Sequence, residues 1–272
     1  MTEIIKKYNS GQSVLTISKD SNLPYRRVWK KLNDANLIRT KKKIKDTEFN
    51  CNYFESIDSQ DKAYFLGLIH ADGCVHITKE NKLRFVIALK EEDGYLIHKL
   101  AEVLELPRSK VGIVPASQTG GQQTRLQIAN QSFISHIKDV KNSKIMDKIP
   151  PHLIPHFIRG VFDGDGTIYT KYSKRIHKYY YMGFIGNLDF LYFLQQHSPV
   201  KFKLRPTNSL GMYRSEIYSK DDVLKFGEFL YKDSIIHMNR KFNKFMDAKF
   251  QYCTSTTTWK TPELEREGDD IV

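Results

Sequence analysis

Two segments of the chain read almost as copies of each other: Tyr64-Phe65-Leu66-Gly67-Leu68-Ile69-His70-Ala71-Asp72-Gly73 and Phe157-Ile158-Arg159-Gly160-Val161-Phe162-Asp163-Gly164-Asp165-Gly166. An internal repeat limits the possible folds more than composition does, because it sets the number of structural units first. The stretches after the two copies are also parallel. After Gly73, Cys74–Thr78 and Leu83–Leu89 predict a hairpin around Glu80-Asn81, and Tyr95, Leu96, Ile97, Leu100, Val103 and Leu104 have helical period. Val111–Val114 and Arg125–Ile128 predict a second hairpin across Gly120-Gly121, and Phe133, Ile134 and Ile137 start another helix. After Gly166 the same order returns. Thr167–Tyr169 pairs with Tyr179–Ile185, Phe190–Leu194 is helical, Val200–Leu204 pairs with Met212–Tyr218, and Val223–Leu230 is helical. Each unit reads αββαββα, which makes the chain α+β with two pseudo-symmetric halves.

The motif has a physical logic of its own. Gly67 and Ala71 stand four apart, as do Gly160 and Gly164, so each helix carries one small-residue face on which two backbones can approach closely. Each helix then ends on an aspartate followed by glycine, a favoured stop residue. An aspartate in the last turn faces the negative end of the helix dipole, at a cost of up to about 1 kcal/mol. Two such carboxylates at adjacent helix ends repel each other further. A bound divalent cation removes both objections, and a site of few oxygen ligands completed by water suits magnesium.

Charge is concentrated elsewhere. The net charge is +12, and residues 1–45 hold twelve basic residues against the acids Glu3, Asp20 and Asp34. Such a segment predicts a polyanionic partner. Ile4, Ile5 and Tyr8 predict one short helix and Val14, Leu15 and Ile17 a second. A third starts at Pro24, with Val28, Trp29 and Leu32 inward and Tyr25, Arg26, Arg27, Lys30 and Lys31 outward. This is a helix-turn-helix pattern, which places its basic helix in the DNA major groove. Lys41, Lys42 and Lys43 open a basic linker. The expected division is a helix-turn-helix domain over 1–40, a linker over 41–58, repeats over 59–148 and 149–252, and a disordered tail over 253–272. Hydrophobic residues make up 40% of the chain, enough for a core. No apolar run approaches the roughly 20 residues of a membrane span, and no leader follows Met1. Three cysteines without a CxxC pair fit a reducing cytosol rather than a disulfide framework or zinc site.

The two motif segments resemble the signature of the LAGLIDADG homing endonucleases in their single-chain, two-motif form, over roughly residues 60–250. The second copy is the nearer match, and Asn239-Arg240-Lys241 with Phe242 and Phe245 is similar to the family's closing helix. His70 stands where the signature has its earlier acid, and Leu66 and Arg159 replace its small second residue. The resemblance implies a monomer whose two antiparallel sheets form a saddle over double-stranded DNA, with the motif helices at the pseudo-twofold axis. It implies metal binding by Asp72 and Asp165, helped by the carbonyls of Ala71 and Gly164, and magnesium as cofactor with manganese able to substitute. The implied reaction is hydrolysis of one phosphodiester in each strand of a long asymmetric target, leaving short 3′ overhangs. Lys220, its counterpart Asn130 and, more weakly, Lys90 are the side chains expected to orient water. Readout is expected from the strand faces carrying Cys74, His76 and Thr78 in the first half and Thr167, Tyr169 and Lys171 in the second. Arg84, Arg125, Lys174, Arg175, Lys203, Arg205 and Arg214 are the further contacts expected to phosphates or guanines. A DNA-binding regulator and an intron RNA maturase are the alternative uses of the scaffold. The expected location is the cytoplasm of a bacterial or phage-infected cell, or an organelle.

Overall fold

The computed structural model describes residues 2–9, 14–35, 37, 49–116, 121–138, 143–172 and 178–254. The chain divides into two compact units, residues 1–45 and 46–272. Lys41, Lys42, Lys43, Lys174 and Arg175 lie outside the described residues, as do residues 255–272 of the expected tail.

The first unit comprises α1 (Thr2–Asn9), α2 (Val14–Asp20) and α3 (Tyr25–Asp34). Its own small core is Ile4, Tyr8, Ile17, Val28 and Leu32, joined by Ile5, Val14, Leu23 and Leu37. The α2–α3 turn passes through Asn22 at φ +49°, a left-handed conformation that asparagine tolerates. Ser18 Oγ donates to the Leu23 carbonyl at 2.6 Å and ties the turn back to α2. Trp29, inward by its aromatic character, is instead 41% exposed. It lies one position off the Val28–Leu32 stripe, and an i, i+4 stripe on so short a helix fills the core alone.

The second unit begins with Phe49 and Phe54, buried against Phe133. The polar stretch assigned to a linker up to residue 58 therefore already contributes to the core. Next come α4 (Gln60–Asp72), β1 (Cys74–Ile77), β2 (Leu83–Lys90), α5 (Gly94–Val103), β3 (Val111–Pro115), β4 (Gln122–Ile128), α6 (Gln131–Ile137) and α7 (Ser143–Met146). The second half repeats the order with α8 (Ile154–Asp165), β5 (Thr167–Tyr172), β6 (Lys178–Gly186), α9 (Leu188–His197), β7 (Lys203–Pro206), β8 (Tyr213–Ile217) and α10 (Lys220–Tyr231). The helix α11 (Asn239–Thr254) closes the described chain and takes in Cys253 and Thr254, which the expected tail includes. The two hairpins of each half join into one four-stranded antiparallel sheet, in the orders β1-β2-β4-β3 and β5-β6-β8-β7.

Burial follows strand alternation. Phe85, Ile87 and Leu89 of β2 and Leu126 and Ile128 of β4 face the core, as do Ile168, Met182, Phe184 and Ile217 of the second sheet. The α4 helix is buried from Ala63 to Ile69 and α8 from His156 to Asp163. A helix enclosed on all sides belongs at the centre of a molecule. Here two lie against each other. A methyl on Gly67 would collide with the Phe157 carbonyl oxygen, and one on Gly160 with the Tyr64 carbonyl oxygen. Backbone meets backbone at this crossing, as the small-residue faces predict. Among the described residues no helix is long and apolar enough to cross a membrane. Cys51, Cys74 and Cys253 are free thiols.

Candidate metal centre and nucleic-acid face

The glycine crossing carries the two helix ends together. Asp72 is the last residue of α4 and Asp165 the last of α8, each followed by a glycine cap whose N–H bonds back to Ile69 or Phe162. A methyl added to Gly164 would lie 2.7 Å from Asp72 Oδ2, so the end of α8 abuts the Asp72 carboxylate directly. Among the described residues no three His, Cys, Asp or Glu side chains cluster as a metal cage. The donor set on offer is two carboxylates and the neighbouring carbonyls of Ala71 and Gly164. That all-oxygen, incomplete set fits a hard divalent cation that keeps several waters.

Sequence reasoning misses the cation already present there. Lys241, at the start of α11, is 5% exposed. Its Nζ donates to the carbonyls of Phe162 at 2.6 Å, Gly164 at 3.2 Å and Gly166. A lysine at a helix C-terminus satisfies the last carbonyls and opposes the dipole. Burial lowers its pKa to about 8, with the Arg240 charge adding to the shift and Asp163, Asp72 and Asp165 opposing it.

Behind this end lies a buried polar network. Asp163 is fully buried and accepts from Tyr64 Oη at 2.9 Å, Tyr231 Oη at 3.0 Å and the Met238 N–H at 2.7 Å. Burial raises its pKa to about 6 against these hydrogen bonds. Arg159, the departure from the family signature, is also fully buried. Its Nε donates to the Ile236 carbonyl at 2.9 Å, and its Nη1 to the Leu230 carbonyl at 3.0 Å and to His156 Nδ1 at 2.7 Å. A guanidinium only donates, so His156 Nδ1 carries no proton, and burial followed by the Arg159 charge lowers the pKa of His156 to about 4. This network anchors the 230–241 segment, which the first half grips through Tyr95 Oη to the His237 carbonyl (2.9 Å) and Asp93 to Arg240 (2.8 Å). Such long-range pairs leave no local mark in a sequence. His70 packs edge-on against Phe157 and tilted against Phe190, a packing role.

Register fixes which side chains share the open face of each sheet. In the first, Cys74 pairs with Val86 and His76 with Arg84, while Ala88 pairs with Arg125 and Lys90 with Gln123. These alternate with the buried Phe85, Ile87 and Leu89 and so face away from the core. Gln123 and Gln127 belong to the same face and are additions to the expected set, although period two along β4 marks them. Thr78 lies past the end of β1, its N–H bonded to the Lys82 carbonyl in the turn. In the second sheet Thr167, Tyr169 and Lys171 pair with Gly183, Tyr181 and Tyr179. Lys203, Arg205 and Arg214 share that face, through the pairs Gly183–Glu216, Glu216–Lys203, Ile185–Arg214 and Arg214–Arg205. Tyr25, Arg26, Arg27 and Lys30 are exposed on α3 and Lys31 is half-buried.

Lys220 and Asn130 are not structural counterparts. Asn130 caps α6, its side chain accepting from the Phe133 N–H at 2.8 Å, which is the role Ser219 plays for α10. Lys220 is the first residue of α10, so its equivalent is Gln131. Lys90 ends β2 beyond Val86, the partner of Cys74, on the side away from Leu83, and pairs with Gln123.

No protein-family model matches the chain, and no curated protein does. Solved structures do. Meganuclease I-SmaMI bound to uncleaveable DNA with a TTCT central four is 11% identical, covers 70% of this chain and 89% of its own, and superposes with TM-score 0.52. The LAGLIDADG meganuclease I-AabMI bound to uncleaved DNA is 17% identical over 70% of this chain and 89% of its own, with TM-score 0.50. The I-SmaMI LAGLIDADG homing endonuclease bound to cleaved DNA is 12% identical over 73% of this chain and 90% of its own, also at 0.50. The chain has the fold of the single-chain, two-domain LAGLIDADG homing endonucleases.

Proposed function

We propose that the chain is a site-specific endonuclease that hydrolyses one phosphodiester in each strand of a long, asymmetric DNA target, leaving short 3′ overhangs. The observation that carries this reading is the meeting of the α8 end at Gly164 with the Asp72 carboxylate, which sets Asp72 and Asp165 at the neighbouring ends of two packed helices from which both open sheet faces start. Carboxylates at two neighbouring helix ends face the negative ends of both dipoles, and the hydrolysis of DNA gives that placement a purpose. Neighbours of this fold that are named as bound to uncleaved and cleaved DNA support the same reading.

In it Asp72 and Asp165, with the carbonyls of Ala71 and Gly164, hold magnesium or manganese. When bound, a divalent cation polarises the scissile phosphate and stabilises the leaving oxygen. Lys241 fixes the carbonyl frame of the α8 end and keeps the carboxylates together before the cation arrives. Lys220 and Lys90 serve as basic groups that position the attacking water of the second and first halves. The open faces hold the duplex, with Arg84, Arg125, Arg205 and Arg214 on guanines or phosphates. The first unit adds phosphate contacts through α3.

The test is cleavage of a randomised duplex library with magnesium by wild type, Asp72→Asn and Asp165→Asn. Defined cuts by wild type, reduced at least a thousandfold in either variant while binding survives, are expected. Selective binding without cutting under magnesium or manganese would instead establish a regulator or maturase.

A further inference from the structure

The two open faces occupy equivalent positions but differ in chemistry. Where the first sheet sets His76 opposite Arg84, the second sets Tyr169 opposite Tyr181. The Tyr169 and Tyr181 rings are stacked 4.9 Å apart with an interplanar angle of 2°. That separation is the spacing of neighbouring strands, so each ring spends one face on the other and Tyr181 backs Tyr169. Tyr179 and Tyr218 flank Tyr181 at 5.3 and 5.6 Å, leaving it 6% exposed. Lys171 Nζ lies over both rings, 4.9 Å from the Tyr181 centroid and 5.7 Å from that of Tyr169.

The hydroxyls of this wall already have partners. Tyr169 Oη donates to Glu216 at 3.4 Å, and Tyr218 Oη accepts from Lys203 Nζ at 2.7 Å. On the same face, across from Arg214, Ile185 is 50% exposed. The first face offers Gln123, Gln127, Arg84 and Arg125 instead. Both faces carry guanidinium groups, but bidentate recognition of adenine needs an amide, and among the described residues the second face has none. An aromatic ring and a branched aliphatic side chain can distinguish one major-groove feature, the C5-methyl of thymine. The ammonium and guanidinium groups around the wall complement the phosphates on either side of it.

We infer that the second half of the molecule reads its half-site through thymine methyl groups, by way of Tyr169, backed by Tyr181, and Ile185, while the first half reads adenines through the amides of Gln123 and Gln127. The inference rests on the DNA-binding part of the proposed function and extends it to the composition of the target. It makes specificity unequal: stringent and hydrogen-bonded on one side, methyl-directed on the other.

Selection of bound duplexes by the full chain in EDTA supplies the target, and Arg84→Ala and Tyr169→Ala, by the positions where each relaxes preference, assign the halves. Thymines of each half-site are then replaced by deoxyuridine, which removes the methyl and keeps the base pair. Loss of two methyls from the second half-site is expected to weaken binding about tenfold, at the usual worth of a buried methyl group. The same change in the first half-site is expected to alter binding less than about twofold on that scale. Ile185→Ala must narrow the thymine–uracil difference, a readout that loss of fold does not mimic. A second half-site without thymines, or equal sensitivity in both halves, overturns the inference. Selective binding without cutting removes the nuclease and leaves the uracil comparison decisive, whereas absence of selective binding overturns both.

Discussion

Lys241 is where the chain resolves a conflict that its motif creates. Two helices ending on aspartates at one point place two carboxylates and two rows of carbonyls together. An ammonium buried among the carbonyls of Phe162, Gly164 and Gly166 offsets that negative charge. Replacing it with methionine keeps the volume but leaves carbonyls without their donor and the carboxylates without their internal counter-ion. Lys241→Met is expected to cost about 2 kcal/mol, or ~5 °C in melting temperature for a unit of this size. The loss should be partly recovered by magnesium, which replaces the missing charge, so the metal-induced rise in melting temperature should be larger in the variant than in wild type. Calorimetry with and without magnesium measures this. An equal rise in both proteins would show that Lys241 acts on packing alone. Arg159 makes the complementary point. The signature expects a small residue there, and the structure shows the substituted guanidinium bonded to two carbonyls and His156, deep behind the helix end.

At the scale of elements, the glycine crossing of α4 and α8 connects stability to chemistry. A methyl at Gly160 would run into the backbone of Tyr64 and Leu68, which cannot move aside as a flexible side chain can. Gly160→Ala is therefore expected to destabilise by about 2–3 kcal/mol. It should reduce cleavage well beyond that loss when assayed far below the melting temperature, because separating the helices separates Asp72 from Asp165. Gly112→Ala is the control for stability: a methyl there meets nothing, and denaturation midpoints should be nearly unchanged. This crossing is legible in the sequence because spacing four on a helix is a local signal, and so is the element order, because it occurs twice. The sheet order is not. The pairing of β2 with β4 joins two hairpins across α5, and nothing in either hairpin announces its neighbour. The sequence pairs Lys220 with Asn130 rather than Gln131, because the cap that offsets the two helix starts is visible only once Ser219 and Asn130 are seen accepting the same kind of N–H. Trp29 misleads in a simpler way, its aromatic character outweighing a position one step off the buried stripe.

At the scale of the whole molecule, charge and core are divided unequally. Residues 1–45 carry nine of the twelve net positive charges on a unit whose buried core, among the described residues, is five side chains. The larger unit holds the motif helices, both sheets and the main core, and is nearly balanced in charge. Specific readout and non-specific grip would thus be assigned to different units, the first to the sheet faces and the second to α3 and the basic residues after it. Counterion release makes the division measurable, since each phosphate neutralised adds about −0.9 to the slope of log K against log salt. If Arg26, Arg27, Lys30 and Lys31 each neutralise a phosphate, removing residues 1–45 should reduce the magnitude of that slope by about 4. Affinity for the selected target should then fall most at low salt and little at high salt, while the position of any cut stays the same. A fluorescence anisotropy titration of the full chain and the truncated chain, at four or more salt concentrations, separates the terms. An unchanged slope would mean that the basic unit lies off the DNA and that the larger unit alone supplies the electrostatic grip. A changed cutting position would mean that α3 contributes to sequence readout, so that the target extends beyond the stretch read by the two sheets.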